Sequence, residues 1–239
     1  MDDRFEPIAC DHDGVALDGF VARPCGEGPH PAVLMIPGAT GSGPAFEMAF
    51  AALADHGYLA VAASMYGRGA DISTPQSAGR YFAELMACPE VLRDRVVTWF
   101  ETTRTLPGVD PERVAAIGYC FGGKCVLELA RSGAPVRAVS SFHGLLLTHA
   151  PAEPGIVTAR IAVWTGGLDP YVPRADFEAL RAELDHAGAN YSATEFAQAR
   201  HAFTDPDDDG IAEGIAYDAA AHRIAWSGTL ALLHVTLTA

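Results

Sequence analysis

Apolar positions in this chain fall into short unbroken runs separated by amphipathic stretches. The runs are Pro31–Ile36, Tyr58–Ala63, Val114–Ile117, Arg137–Phe142 and Ile161–Thr165. Runs of this length without alternation predict strands buried on both faces of a parallel sheet. A further strand is predicted near Tyr191–Phe196, and Val15, Leu17, Phe20 and Val21 around Asp18-Gly19 predict an opening hairpin or strand over 14–23. The intervening stretches predict helices at 44–56 (closed by Gly57), 80–87, 90–104, 123–130, 174–187 and 214–235. Strand and helix alternate over the whole length, which predicts an α/β fold: a doubly wound, mostly parallel sheet with helices on both faces, in one domain over residues 1–239.

Composition agrees with one large core, since 49% of the 239 residues are hydrophobic. The formal net charge of −14 argues against nucleic acid or an anionic membrane surface as the partner and leaves a small molecule. Met1–Phe5 has no basic segment followed by an apolar one, and no run of about 18 apolar residues exists, so neither a secretory signal nor a membrane span is expected. The five cysteines are odd in number, irregularly spaced and without a C-x-x-C pair, which predicts neither disulfides nor a zinc site and favours a cytoplasmic location. Monomer and small homo-oligomer are both compatible with these features.

The chemistry begins at Gly118-Tyr119-Cys120-Phe121-Gly122, set between the run Val114–Ile117 and a helical stretch. Strand, glycine-flanked turn and helix together describe a nucleophile elbow, with Cys where Ser usually stands. The turn aims the side chain at the following helix N-terminus, where unpaired N–H groups and the helix dipole favour a thiolate and a developing oxyanion. Taken alone, the string leaves open a buried structural cysteine.

A cysteine nucleophile needs a base, and the base an orienting group. In the elbow folds the chain order is nucleophile, acid, histidine. Asp169 lies in a loop past the strand Ile161–Thr165, at the strand end where open α/β sheets bind ligands; its alternative is a turn or cap residue. His201 follows the last predicted strand and completes the order. His143, also at a strand end, precedes the acid and is assigned to lining the site. The oxyanion donors fall on the N–H of Phe121 and on the glycine-rich loop Gly38–Gly43 after the strand ending at Ile36. Gly38, Tyr81 and Phe142 join His143 as candidate pocket residues.

With these residues in place, the chain resembles the dienelactone hydrolase family of α/β-hydrolases. The resemblance rests on Met65-Tyr66-Gly67-Arg68-Gly69, the elbow with Gly123, Ser141-Phe142-His143-Gly144, Asp169-Pro170-Tyr171-Val172-Pro173 and His201-Ala202-Phe203-Thr204-Asp205-Pro206, and covers nearly the whole chain. It implies a Cys120–His201–Asp169 triad that hydrolyses a small ester or lactone through an acyl-cysteine, with Ala39 N–H as second oxyanion donor. Thiolate attack needs neither metal nor organic cofactor, so none is expected. Two positions depart from the family pattern. The loop pair that commonly ends in Glu maps onto Pro37-Gly38, which leaves no carboxylate to oppose the thiolate. The position four residues after the histidine, where dienelactone hydrolases carry an arginine for the substrate carboxylate, is Asp205; Arg80 beside Tyr81 is the candidate replacement cation.

Two other readings use the same residues: a thioesterase or acyltransferase on this triad, and a non-catalytic binding or redox-sensing relative. Asp205–Gly210 resembles the start of a calcium loop, but its twelfth position is Ala216 where a bidentate Glu is needed, so a solvated acidic loop is expected. Trp99, Phe100, Trp226 and Cys125 are expected in the core.

Overall fold

The computed structural model describes residues 5–238; Met1–Arg4 and Ala239 lie outside the described residues. Eight strands form one sheet: β1 (Phe5–His12), β2 (Val15–Ala22), β3 (His30–Ile36), β4 (Leu59–Gly67), β5 (Val109–Tyr119), β6 (Ala138–Phe142), β7 (Arg160–Gly166) and β8 (Asn190–Phe196). Their order is β1-β2-β4-β3-β5-β6-β7-β8. The β1–β2 and β2–β4 pairings are antiparallel and every pairing from β4 to β8 is parallel.

The helices are α1 (Pro44–Asp55), α2 (Pro75–Met86), α3 (Pro89–Arg104), α4 (Phe121–Arg131), α5 (Arg174–Ala187) and α6 (Ala219–Leu237). They cover both faces, as the unbroken apolar strands require. In β3, Ala32, Leu34 and Ile36 join the core formed with α2, α3, α4 and α5, whereas Val33 and Met35 join the core formed with α1 and α6. Trp99, Phe100 and Cys125 are fully buried; Trp226 is only partly buried, against the second core. Among the described residues no helix is long and apolar enough to cross a membrane.

Several boundaries differ from the sequence expectation: β4 runs four residues further, to Gly67, β5 starts five residues earlier, at Val109, and three other segments differ as follows. The opening hairpin turns at Asp13-Gly14, with both residues at positive φ, and pairs Val15–Ala22 with the unanticipated β1. Two Asp-Gly pairs compete for this turn. The second, Asp18-Gly19, lies inside β2, where a side chain at position 19 would meet the Ala62 carbonyl at 2.5 Å and the Trp99 ring at 2.7 Å. Helix α2 starts five residues earlier than expected. Pro75 is its first residue rather than a break, and Thr74 and Ser77 close a reciprocal capping box. Helix α6 starts at Ala219 rather than 214, because the Asp218 side chain caps the N–H groups of Ala220 and Ala221.

The turn from β5 to α4 is the tightest crossing. A Cβ on Gly118 would collide with the Gly122 carbonyl, and one on Gly122 with the Ile36 carbonyl at the end of β3. Both contacts are to backbone, which cannot swing aside as a flexible side chain can. Gly122→Ala is therefore expected to cost about 3 kcal/mol, read as a lowered thermal unfolding midpoint; an unchanged midpoint would contradict this crossing.

Candidate active site

Cys120 stands at the N-cap of α4 with φ 52° and ψ −115°, a left-handed conformation that a non-glycine residue adopts only when its surroundings impose it. Here the flanking glycines permit the crossing, and the Cys120 N–H is held by the Phe142 carbonyl at 2.9 Å. The following residue, Phe121, is the first of α4, whose leading N–H groups have no intrahelical acceptor.

Asp169 and His201 reach Cys120 from the loops that follow β7 and β8, two and three strands away from β5 in the sheet. His201 Nδ1 lies 2.7 Å from Asp169 Oδ2, and His201 Nε2 lies 3.1 Å from Cys120 Sγ. Asp169 is itself oriented by the Tyr171 N–H, which donates to Oδ1 at 2.8 Å. The His201 backbone is clamped between Gly214 and Ala216: its N–H donates to the Gly214 carbonyl at 3.0 Å, and its carbonyl accepts from Ala216 at 3.2 Å. Burial by itself would depress the imidazole's pKa. The hydrogen bonds to Asp169 and Cys120, with the charges on those two groups, more than reverse this and raise it to about 10. Protonated His201 donates from both ring nitrogens, to the carboxylate and to the sulfur.

With Asp169 buried behind His201, Cys120 and His201 form part of the wall of a cavity of about 330 Å³. Gly38, Ala39 and His143 line it, as do Phe46, Phe82, Tyr171, Leu145 and Ile215. The Tyr171 ring stands edge-on to His201 with centroids 4.8 Å apart. His143 is buried, at φ 39°, with Nε2 2.8 Å from Thr204 Oγ1 and its ring 5.1 Å from that of His201. Burial, then the neighbouring His201 charge, pushes its pKa well below the ordinary imidazole value. The two histidines thus divide the site, His201 charged and His143 neutral.

Two expected pocket residues lie elsewhere. Phe142 is fully buried, stacked on Tyr119 at 4.8 Å, because its position on β6 points it into the α1–α6 core. Tyr81 packs on Tyr66 beneath Arg80, whose guanidinium donates to the Tyr81 hydroxyl at 3.0 Å. Neither Tyr81 nor Arg80 lines the cavity, so Arg80 supplies no cation there. The loop after His201 is also more than solvated acid: Asp205 and Asp208 both face the cavity. Burial, then Asp205 and Asp207, raises the Asp208 pKa. Among the described residues no Lys or Arg lines the cavity. Sequence reasoning missed Tyr171, whose signal was its place two residues after Asp169, and Asp208, which no local pattern distinguishes from Asp207 and Asp209.

The sequence model of the Dienelactone hydrolase family matches residues 17–237. A putative carboxymethylenebutenolidase of Synechocystis sp. is 30% identical over 210 residues, covering 82% of this chain and 85% of its own length. The solved structure of m3DLH superposes with a TM-score of 0.89 at 29% identity, covering 98% of this chain and 99% of that one. A dienelactone hydrolase-like promiscuous phosphotriesterase, P91, from metagenomic libraries superposes with a TM-score of 0.87 at 30% identity, again over 98% and 99%.

The raised His201 value makes stability depend on pH. Free imidazole titrates near 6.5, so the stabilisation from protonated His201 is complete below about pH 6.5 and is lost as pH rises through about 10. Asp169→Asn removes its main hydrogen-bonded partner. The gap in denaturation midpoint between the wild type and this variant is expected to be widest near pH 6 and to narrow toward pH 10. A gap independent of pH would contradict a charged His201.

Proposed function

The chain belongs to the dienelactone hydrolase family, and from that premise we propose that it hydrolyses a small carboxylic ester or lactone through an acyl-cysteine on Cys120. The observation that carries this reading is the unbroken chain Asp169–His201–Cys120, at 2.7 and 3.1 Å, set in the wall of a cavity of substrate size. The Cys120 thiolate attacks the carbonyl carbon, forming a C–S bond and moving the π electrons onto oxygen. The N–H groups of Phe121 and Ala39 hold that oxyanion. Collapse breaks the C–O bond, and His201 Nε2 gives its proton to the departing alkoxide. Neutral His201 then takes a proton from water, whose oxygen attacks the thioester carbon. The acid leaves and the Cys120–His201 pair is restored. Asp169 keeps the imidazole oriented and offsets its charge throughout.

The cavity also sets the substrate's charge. Asp205 stands where dienelactone hydrolases place a carboxylate-binding arginine, Asp208 lies beside it, and no Lys or Arg opposes them among the described lining residues. Two carboxylates facing a substrate disfavour an anion, so the substrate is a neutral or cationic ester or lactone rather than a dienelactone carboxylate.

A second reading rests on Gly38. A Cβ there would stand 3.6 Å from Cys120 Cβ, so glycine leaves that side of the thiol open to a bulkier, tetrahedral centre. Neutral phosphotriesters are then a second substrate class, in keeping with the relative described as a promiscuous phosphotriesterase. Absence of turnover on p-nitrophenyl phosphotriesters by an esterase-active preparation discards this reading.

Cys120→Ala is expected to abolish hydrolysis of p-nitrophenyl acetate, a loss of about a thousandfold or more. A slow ester should leave the wild type heavier by one acyl group at Cys120 in mass spectrometry. Turnover surviving in Cys120→Ala sinks the mechanism. Asp205→Arg is expected to raise kcat/KM for a carboxylate-bearing ester about tenfold relative to its neutral analogue; an unchanged ratio contradicts the electrostatic account.

A further inference from the structure

We propose that Tyr66 is the positioning residue of the oxyanion hole, one side chain that braces both backbone segments that supply its donors. The inference rests on the hydrolase reading above and assigns a role to a residue outside the substrate cavity.

Tyr66 lies near the end of β4 and is buried, 5% exposed. Its hydroxyl donates to the Ala39 carbonyl at 2.9 Å. Its ring is stacked on Phe121, with centroids 5.9 Å apart and planes 9° from parallel. Ala39 and Phe121 are the two residues whose N–H groups face the developing negative charge in the proposed reaction.

The loop needs such a brace. Gly38 and Gly41 border the substrate cavity on one side and a second cavity of about 130 Å³ on the other, which Tyr66 and Phe121 also line. The loop's own turn is one backbone bond, from Gly41 N–H to the Gly38 carbonyl at 3.0 Å. The Tyr66 hydroxyl makes the one side-chain hydrogen bond to residues 37–43 among the described residues. It draws the Ala39 carbonyl toward the rear cavity. A carbonyl free to turn the other way would bring negative partial charge toward the oxyanion and cancel part of what the donors supply.

The brace is rigid at its own base. Trp99 Nε1 donates to the Ser64 carbonyl at 2.9 Å, Arg95 donates to the Met65 carbonyl at 2.8 Å, and the Tyr66 N–H donates to Ser64 Oγ at 3.2 Å. Burial raises the phenol's pKa far above its ordinary value, so the hydroxyl remains a donor across the working range of pH.

Tyr66→Phe tests this, since it keeps the stacked ring and deletes the hydroxyl. The readouts are p-nitrophenyl acetate hydrolysis and alkylation of Cys120 by iodoacetamide, a displacement at saturated carbon that forms no oxyanion. Expected are a fall in kcat of about tenfold with KM changed less than about twofold, and an unchanged alkylation rate and pH profile. Tyr66→Met, which removes the stacking as well, is expected to lose more kcat again. Unchanged kcat in Tyr66→Phe overturns the proposal. So does alkylation falling in parallel with hydrolysis, which marks general distortion of the elbow. A wild type that is alkylated at Cys120 but hydrolyses no ester overturns the hydrolase reading itself, and the role of Tyr66 with it.

Discussion

The close passage of the β5–α4 turn against the end of β3 is the contact on which the rest of the site depends. Gly118 and Gly122 carry no side chain because any Cβ there would enter a neighbouring carbonyl. That bareness lets the chain reverse sharply enough to hold Cys120 at a positive φ. The same passage brings residues 36–38 against the elbow, so the loop carrying Ala39 runs beside Cys120 and Phe121. Backbone strain at Cys120 is held by packing on both sides, and the thiol stands at a helix N-terminus, where a negative charge is favoured.

The electrostatics divide sharply over a few ångströms. His201, sandwiched between Asp169 and Cys120, carries its proton to high pH. His143, 5.1 Å away ring to ring, stays neutral because it is buried and because a second imidazolium beside the first would be repelled. On the loop after His201, Asp205 and Asp208 line the cavity without a lining Lys or Arg among the described residues. The Cys120–His201 pair therefore borders a cavity whose other charged lining groups are carboxylates.

How much of this was legible beforehand depended on how local each signal is. The strands from β3 to β8 announced themselves because unbroken apolar runs have no other stable place than a sheet covered on both faces. Cys120, Asp169 and His201 were found by their order and by their position after strand ends, and the fold brings all three together. The segment 14–23 reads as a hairpin or a strand, and a strand, Val15–Ala22, forms there. Its partner β1 went unnoticed because two Asp-Gly pairs offer the same turn chemistry and the turn falls on Asp13-Gly14. Helix α2 was shortened because Pro75 reads equally as a break or as a first helical residue. Phe142 and Tyr81 looked suitable for a pocket by residue type, yet the side to which each points is set by sheet register and helix packing.

The sequence by itself determined the α/β class, the strand-turn-helix elbow and the order of Cys120, Asp169 and His201, since each follows from residue type and spacing along the chain. Only the tertiary structure decided what surrounds them: that Asp205 and Asp208 face the cavity, that Arg80 is turned onto Tyr81, that His143 is the neutral histidine, and that Tyr66 spans Ala39 and Phe121. Apart from the Arg80–Tyr81 pair, these arrangements depend on contacts between residues tens of positions apart. Nothing in the local pattern encodes them, because burial, and with it charge state and hydrogen-bond partner, is fixed only when distant strands are brought side by side.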